Sequence, residues 1–125
     1  MCIIVAKEQG IKMPKKEILK NCWSNNSDGA GFMYNDNGNV IISKGYMNFD
    51  DFYNAVSGID NAYDKAIVMH FRITTHGGTS ASNTHPFPIS SSELDLKRLH
   101  NKTDIGVAHN GIIDIEQEKN ATISD

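Results

Sequence analysis

The sequence predicts an α+β domain built mostly on antiparallel sheet. Three observations lead there: candidate strands outnumber candidate helices, the helices fall between groups of strands, and no regular βαβ alternation is visible.

Each element has a local reason. Ile3-Ile4-Val5 is β-branched and starts a buried strand at the head of the chain. Pro14 suits the first turn of a helix, and Ile18, Leu19, Cys22 and Trp23 follow at helical spacing with Lys15, Lys16 and Lys20 on the other side. The stretch 25–28 ends that helix. Strands over 30–34 and 40–44 then flank Asn35-Asp36-Asn37-Gly38-Asn39, a composition suited to a tight hairpin loop. Asn48 caps a second helix with Asp50 and Asp51 in its first turn, while Phe49, Phe52, Tyr53 and Val56 share one face before Gly58. The strand over 66–74 is the longest predicted. A Gly/Ser/Thr/Asn loop with two prolines follows from His76 to about Ser92 and reads as too polar for a core. A short helix over 93–100 precedes strands over 105–109 and 112–115, which flank Asn110-Gly111.

At 125 residues the chain fits a single domain, 1–125, and leaves no room for a second catalytic domain. Twelve basic against fifteen acidic residues give a net charge of −3, the wrong sign for a protein that lives on phosphate backbones, so no nucleic-acid partner is expected. No apolar run reaches the ~18 residues of a membrane span, and MCIIVAKEQG gains charge too early for a signal peptide. A cytoplasmic protein with no membrane partner is therefore expected. Cys2 and Cys22, the two cysteines, form no CxxC pair and no disulfide framework.

Cys2 follows the initiator methionine, whose removal next to so small a residue would leave a free α-amine beside a thiol. That amine has a pKa of about 7.7–8.0, so one residue supplies both nucleophile and base. As an alternative, Cys2 is a small buried hydrophobe opening a strand. Arg72 ends the long strand, ahead of Thr75 and His76, where its guanidinium could grip a carboxylate or pair with a surface acid. His85 is pinned beside a proline in Asn83-Thr84-His85-Pro86-Phe87, a segment that reads equally as a site loop or a turn. Asn110-Gly111 reads as a hairpin turn and, compatibly, as two neutral donors for an oxyanion. His70, His76, His85 and His109 could be counted as a zinc site, but no HExxH or short Cys/His spacing supports a metal. No cofactor motif is present either.

Taken together, the N-terminal Met-Cys, Ser27-Asp28-Gly29-Ala30-Gly31-Phe32, Arg72-x-x-Thr75-His76-Gly77, Asn83-Thr84-His85-Pro86-Phe87 and His109-Asn110-Gly111 resemble class II glutamine amidotransferase domains, which are N-terminal nucleophile hydrolases. The segments are short but occur in the family's order across the whole chain. The resemblance implies a four-layer αββα sandwich of mostly antiparallel sheets and a glutaminase that forms a Cys2 thioester once Met1 is removed. It further implies Asn110 and Gly111 as the oxyanion pair, Arg72 on the α-carboxylate of L-glutamine, Thr75 and His76 in the same binding segment, and His85 near the site. Asp125 matches the family's aspartate for the substrate α-ammonium. Family domains continue beyond that motif, so the resemblance implies a C-terminally truncated or split domain, with a partner synthase chain to accept ammonia. Two readings from other classes stand beside it: a non-catalytic binding or regulatory domain of the same fold, and a zinc-dependent hydrolase using the histidines.

Overall fold

The computed structural model describes residues 2–74 and 80–110. Among them are seven strands: β1 (Ile3–Lys7), β2 (Ala30–Asp36), β3 (Asn39–Tyr46), β4 (Ile67–Phe71), β5 (Phe87–Pro88), β6 (His100–Thr103) and β7 (Gly106–Val107). Three helices accompany them: α1 (Lys16–Asn25), α2 (Phe49–Ser57) and α3 (Glu93–Lys97). The expected α+β class holds. One antiparallel sheet runs β1-β4-β2-β3-β6, and β5 and β7 form a separate antiparallel pair.

Local chemistry sets the larger elements. The β2–β3 hairpin turns on Asn37 and Gly38, both left-handed at φ +49° and +82°, the pair of conformations that a two-residue turn between right-twisted strands demands. Asn48 caps α2 by accepting the Asp51 N–H at 2.9 Å, and Phe49, Phe52 and Val56 point that helix's buried stripe at the sheet. Leu19 of α1 and Phe52 and Val56 of α2 bury fully against Ile67, Met69 and Phe71 of β4 and against Phe32. Phe52 meets Phe71 and Phe32 edge-on, with ring centroids 5.1 and 6.1 Å apart. Each such side chain contributes about 1.5–3 kcal/mol of burial, so this helix-covered face is the core.

Strand alternation sends the intervening residues to the opposite face. There Ile4, His70, Gly31 and Lys44 form one cross-strand rung spanning β1, β4, β2 and β3. The chain around residues 80–88 lies on that rung.

Several expectations are corrected. The strand over 66–74 stops at Phe71, because beyond it the Asp28 side chain takes the place of a partner strand, accepting the Thr74 N–H at 2.7 Å. The loop read as too polar for a core buries Thr84 and His85 to 0% and 1% exposure. The Thr84 hydroxyl is satisfied on both sides, since Oγ1 accepts from the Gly45 N–H at 2.8 Å and donates to the Ala81 carbonyl at 2.7 Å. α1 begins at Lys16 rather than at Pro14, with Lys15 extended at its cap. α3 ends at Lys97, and the chain straightens into β6, whose polar HNKT sequence hides an edge strand paired with β3. The strand over 105–109 contracts to Gly106–Val107. That over 112–115, and its turn at Gly111, lie outside the described residues.

Candidate active site

Cys2 directly precedes the Ile3–Phe71 pair of the β1–β4 ladder, and Arg72 directly follows it on the antiparallel strand, so the register sets the two residues side by side. The Cys2 side chain is 3% exposed, and its Sγ lies 3.7 Å from the Ile73 carbonyl oxygen. Arg72 is fully buried, and its backbone is fastened to the Asp28-Gly29 segment: its N–H donates to Gly29 at 2.8 Å and its carbonyl accepts from Asp28 at 2.9 Å. Asn26 adds a side-chain bond to the Phe71 carbonyl at 3.3 Å. The chain just before β2 therefore holds the end of β4 by three hydrogen bonds.

The two glycines of Ser27-Asp28-Gly29-Ala30-Gly31 have a packing role. A Cβ at Gly29, where φ is +123°, would stand 2.5 Å from Thr84 Cγ2, and one at Gly31 would stand 2.1 Å from the His85 carbonyl oxygen. Only bare backbone lets the 84–85 segment lie this close.

His85 is thereby held over β4. Its ring stacks on His70 with centroids 4.2 Å apart, while His109 meets it edge-on at 4.8 Å and Phe87 at 4.9 Å. His70 Nε2 lies 3.3 Å from the His109 carbonyl oxygen, which ties the third imidazole to the same strand. Burial, and after it the nearby His70, His109, Lys44 and Arg72, lower the His85 pKa to about 2. His85 is therefore neutral across the ordinary pH range and serves as a packed, uncharged ring rather than a cationic anchor. Among the described residues, no hydrogen-bond partner meets His85 Nδ1 or either ring nitrogen of His109.

Beneath the loop lies Lys44, 2% exposed. Its Nζ donates to the carbonyls of Leu96 at 2.8 Å and Ser82 at 3.2 Å and sits 3.6 Å above the centre of the Phe87 ring. Burial lowers its pKa to about 7. One cation thus pins α3 and both sides of the His85 segment to β3.

Of the residues singled out from sequence, the structure sets Cys2 just before β1, Arg72 just after β4 and His85 on the loop packed over the sheet. Asn110 follows His109 directly in the chain and is exposed. Thr75, His76, Gly111 and Asp125 lie outside the described residues. Sequence reasoning missed the Asp28 latch, the His70 stack and Lys44. For Lys44 a signal existed: a lysine following Ile41, Ile42 and Ser43 in a strand, opposite a glycine, marks an inward position with room above it. Among the described residues, no group of three or more histidine, cysteine or carboxylate side chains is placed to hold a metal. Also among them, no helix is long and apolar enough to cross a membrane. No family model, curated protein or solved structure matches the chain.

Proposed function

We propose that the chain is a glutaminase-type domain of the class II glutamine amidotransferase kind, with Cys2 as its nucleophile and the four-layer αββα sandwich as its complete fold. The observation that carries this reading is the β1–β4 register, which sets Cys2 opposite Arg72 just past the end of β4, with the thiol 3.7 Å from the Ile73 carbonyl oxygen. The ordered motifs of the sequence support it.

With Met1 removed, the Cys2 α-amine takes the thiol proton and the sulfur attacks the side-chain amide carbon of glutamine. The oxyanion that forms is held by the Asn110 side-chain amide and the Gly111 N–H. Its collapse breaks the C–N bond, the amine returns its proton to the departing ammonia, and water then cleaves the thioester to release glutamate. Arg72 holds the α-carboxylate as a bidentate clamp, with Thr75, His76 and Asp125 completing recognition of the amino-acid head group. His85 shapes the wall of the site as a neutral ring. Ammonia passes to a partner synthase chain or is released.

The test is intact-mass spectrometry of the purified protein, with its terminus freed of Met1, before and after exposure to diazo-oxo-norleucine, alongside glutamate release from glutamine. One adduct mapped to Cys2, together with turnover that Cys2→Ala abolishes without unfolding the protein, is the expected result. Equal turnover by Cys2→Ala would overturn the mechanism, and saturable glutamine binding without adduct or turnover would make this a binding domain.

A further inference from the structure

We propose that the hollow between the C-terminal end of α2 and strands β2, β3 and β6 is a second binding site, for a small planar aromatic molecule that carries an anionic group. It lies on the helix-covered face of the sheet, away from the His70–His85 stack, and does not rest on the glutaminase reading.

α2 covers only part of that face, and where it ends at Ala55, Gly58 and Ile59 the outer strands are left open around a hollow of about 460 Å³. Small-molecule sites commonly span ~300–1,000 Å³. The strand register orders the chemistry of its floor. One rung runs Phe32, Ser43, His100 and the next runs Tyr34, Ile41, Lys102, both spanning β2, β3 and β6. Each rung therefore begins with an aromatic ring on β2 and ends with a basic side chain on β6. Neighbouring strands lie ~4.8 Å apart, so the two ends are ~10 Å apart, about the length of a substituted aromatic ring with its acidic group.

The aromatic end is already an organised platform. Phe32 is stacked between Tyr34 and Tyr46, with ring centroids 6.2 and 5.9 Å away and interplanar angles of 20° and 10°. A further planar ring laid against this row continues the same offset stacking. The polar end is connected to it by a hydrogen-bonded chain, in which Tyr46 Oη bonds Ser43 Oγ, itself 3.0 Å from His100 Nδ1. If the tyrosine donates to the serine and the serine to Nδ1, the neutral imidazole carries its proton on Nε2, outward, as a donor. An anion selects that direction of the chain, and Lys102 supplies the countercharge. None of the described lining residues is acidic, and the nearby carboxylates of Asp36 and Asp60 act on Tyr34 at the aromatic end, so the anionic group belongs at the β6 end beside His100 and Lys102.

The test is a titration of isotope-labelled protein with indole-3-acetate, phenyl phosphate and the neutral indole-3-acetamide, following the backbone amides of Ser43, Tyr46, His100 and Lys102. The expected result is saturable shifts centred on those amides, with the neutral probe at least about tenfold weaker than its carboxylate counterpart. Lys102→Ala, an exposed-strand change that leaves the core intact, is expected to weaken the anionic probes by a similar factor. The tighter of the two anions identifies the acidic group. Absence of saturable shifts, equal binding of the neutral probe, or unchanged affinity in Lys102→Ala would each overturn the proposal.

Discussion

Gly31→Ala is expected to be among the most damaging single-methyl additions to this fold. The new Cβ would stand 2.1 Å from the His85 carbonyl oxygen, 2.6 Å from Lys44 Cβ and 3.0 Å from Lys44 Cα, where ordinary contact begins near 3.4 Å. The carbonyl would have to retreat by about 1.3 Å to reach that distance. It cannot do so freely, because the Thr84 hydroxyl and the Lys44 ammonium tie its loop to β3. Overpacking costs about 1–3 kcal/mol, and a broken loop bond adds about 0.5–1.5 kcal/mol. The stiffer unfolded chain offsets about 0.4–1 kcal/mol of this. The net loss is about 0.5–4 kcal/mol, centred on ~2 kcal/mol, read as a shift in the urea midpoint followed by circular dichroism. Gly38→Ala is the control: its φ of +82° lies in the left-handed region, but nothing lies within 4 Å of the added methyl, so it should lose only about 1 kcal/mol. A Gly31→Ala protein no less stable than Gly38→Ala would refute the claim that loop contact, rather than backbone conformation, requires this glycine.

Lys44 predicts a pH dependence. Its folded-state pKa, near 7, lies below the ordinary 10.5, so between those values the unfolded chain binds a proton that the folded one does not, and this contribution to stability is lost as pH falls. Stability should therefore rise with pH across that window, by at most ~1.4 kcal/mol per unit from this group, and flatten below it. Comparing urea midpoints at two pH values within the window for wild type and Lys44→Met isolates the contribution; identical slopes in the two proteins would rule it out. Asn48→Ala should remove about 1 kcal/mol by uncapping α2, with most of the loss absent in Asn48→Ser, which keeps an acceptor for the Asp51 N–H without setting a second carboxylate against the Asp51 side chain that Asn48 Nδ2 meets at 2.7 Å. Equal stability of the alanine and serine variants would show that the cap contributes nothing.

What the sequence disclosed was whatever depends on neighbours along the chain. The α2 stripe of Phe49, Phe52 and Val56 and the turn at Asn37-Gly38 follow from periodicity and left-handed backbone preference, and both are present. β6 was invisible because His100-Asn101-Lys102-Thr103 carries no strand pattern of its own, and β3 alone makes it a strand. The buried loop was misread for a related reason. Thr84 and His85 are polar in isolation, and only the folded chain brings Gly45, Ala81 and the neighbouring imidazoles to meet them. Cys2 and Arg72 were legible as chemically capable residues, but their adjacency is a product of pairing between strands far apart in sequence.

The β1–β4 pairing also orders events in time. Ile3 finds its partner, Phe71, roughly seventy residues later in the chain. Synthesis at ~5–20 residues per second therefore leaves the first strand waiting roughly 3–14 s on the ribosome before β4 exists. Closing so long a loop is the entropically demanding step of the sheet, whereas the β2–β3 hairpin can form from neighbouring residues alone. During that wait β1 lacks its β4 partner and its apolar residues are open to solvent. The thiol that ends up enclosed in the finished fold is thus most accessible before folding, and docking of β1 onto β4 ends the interval.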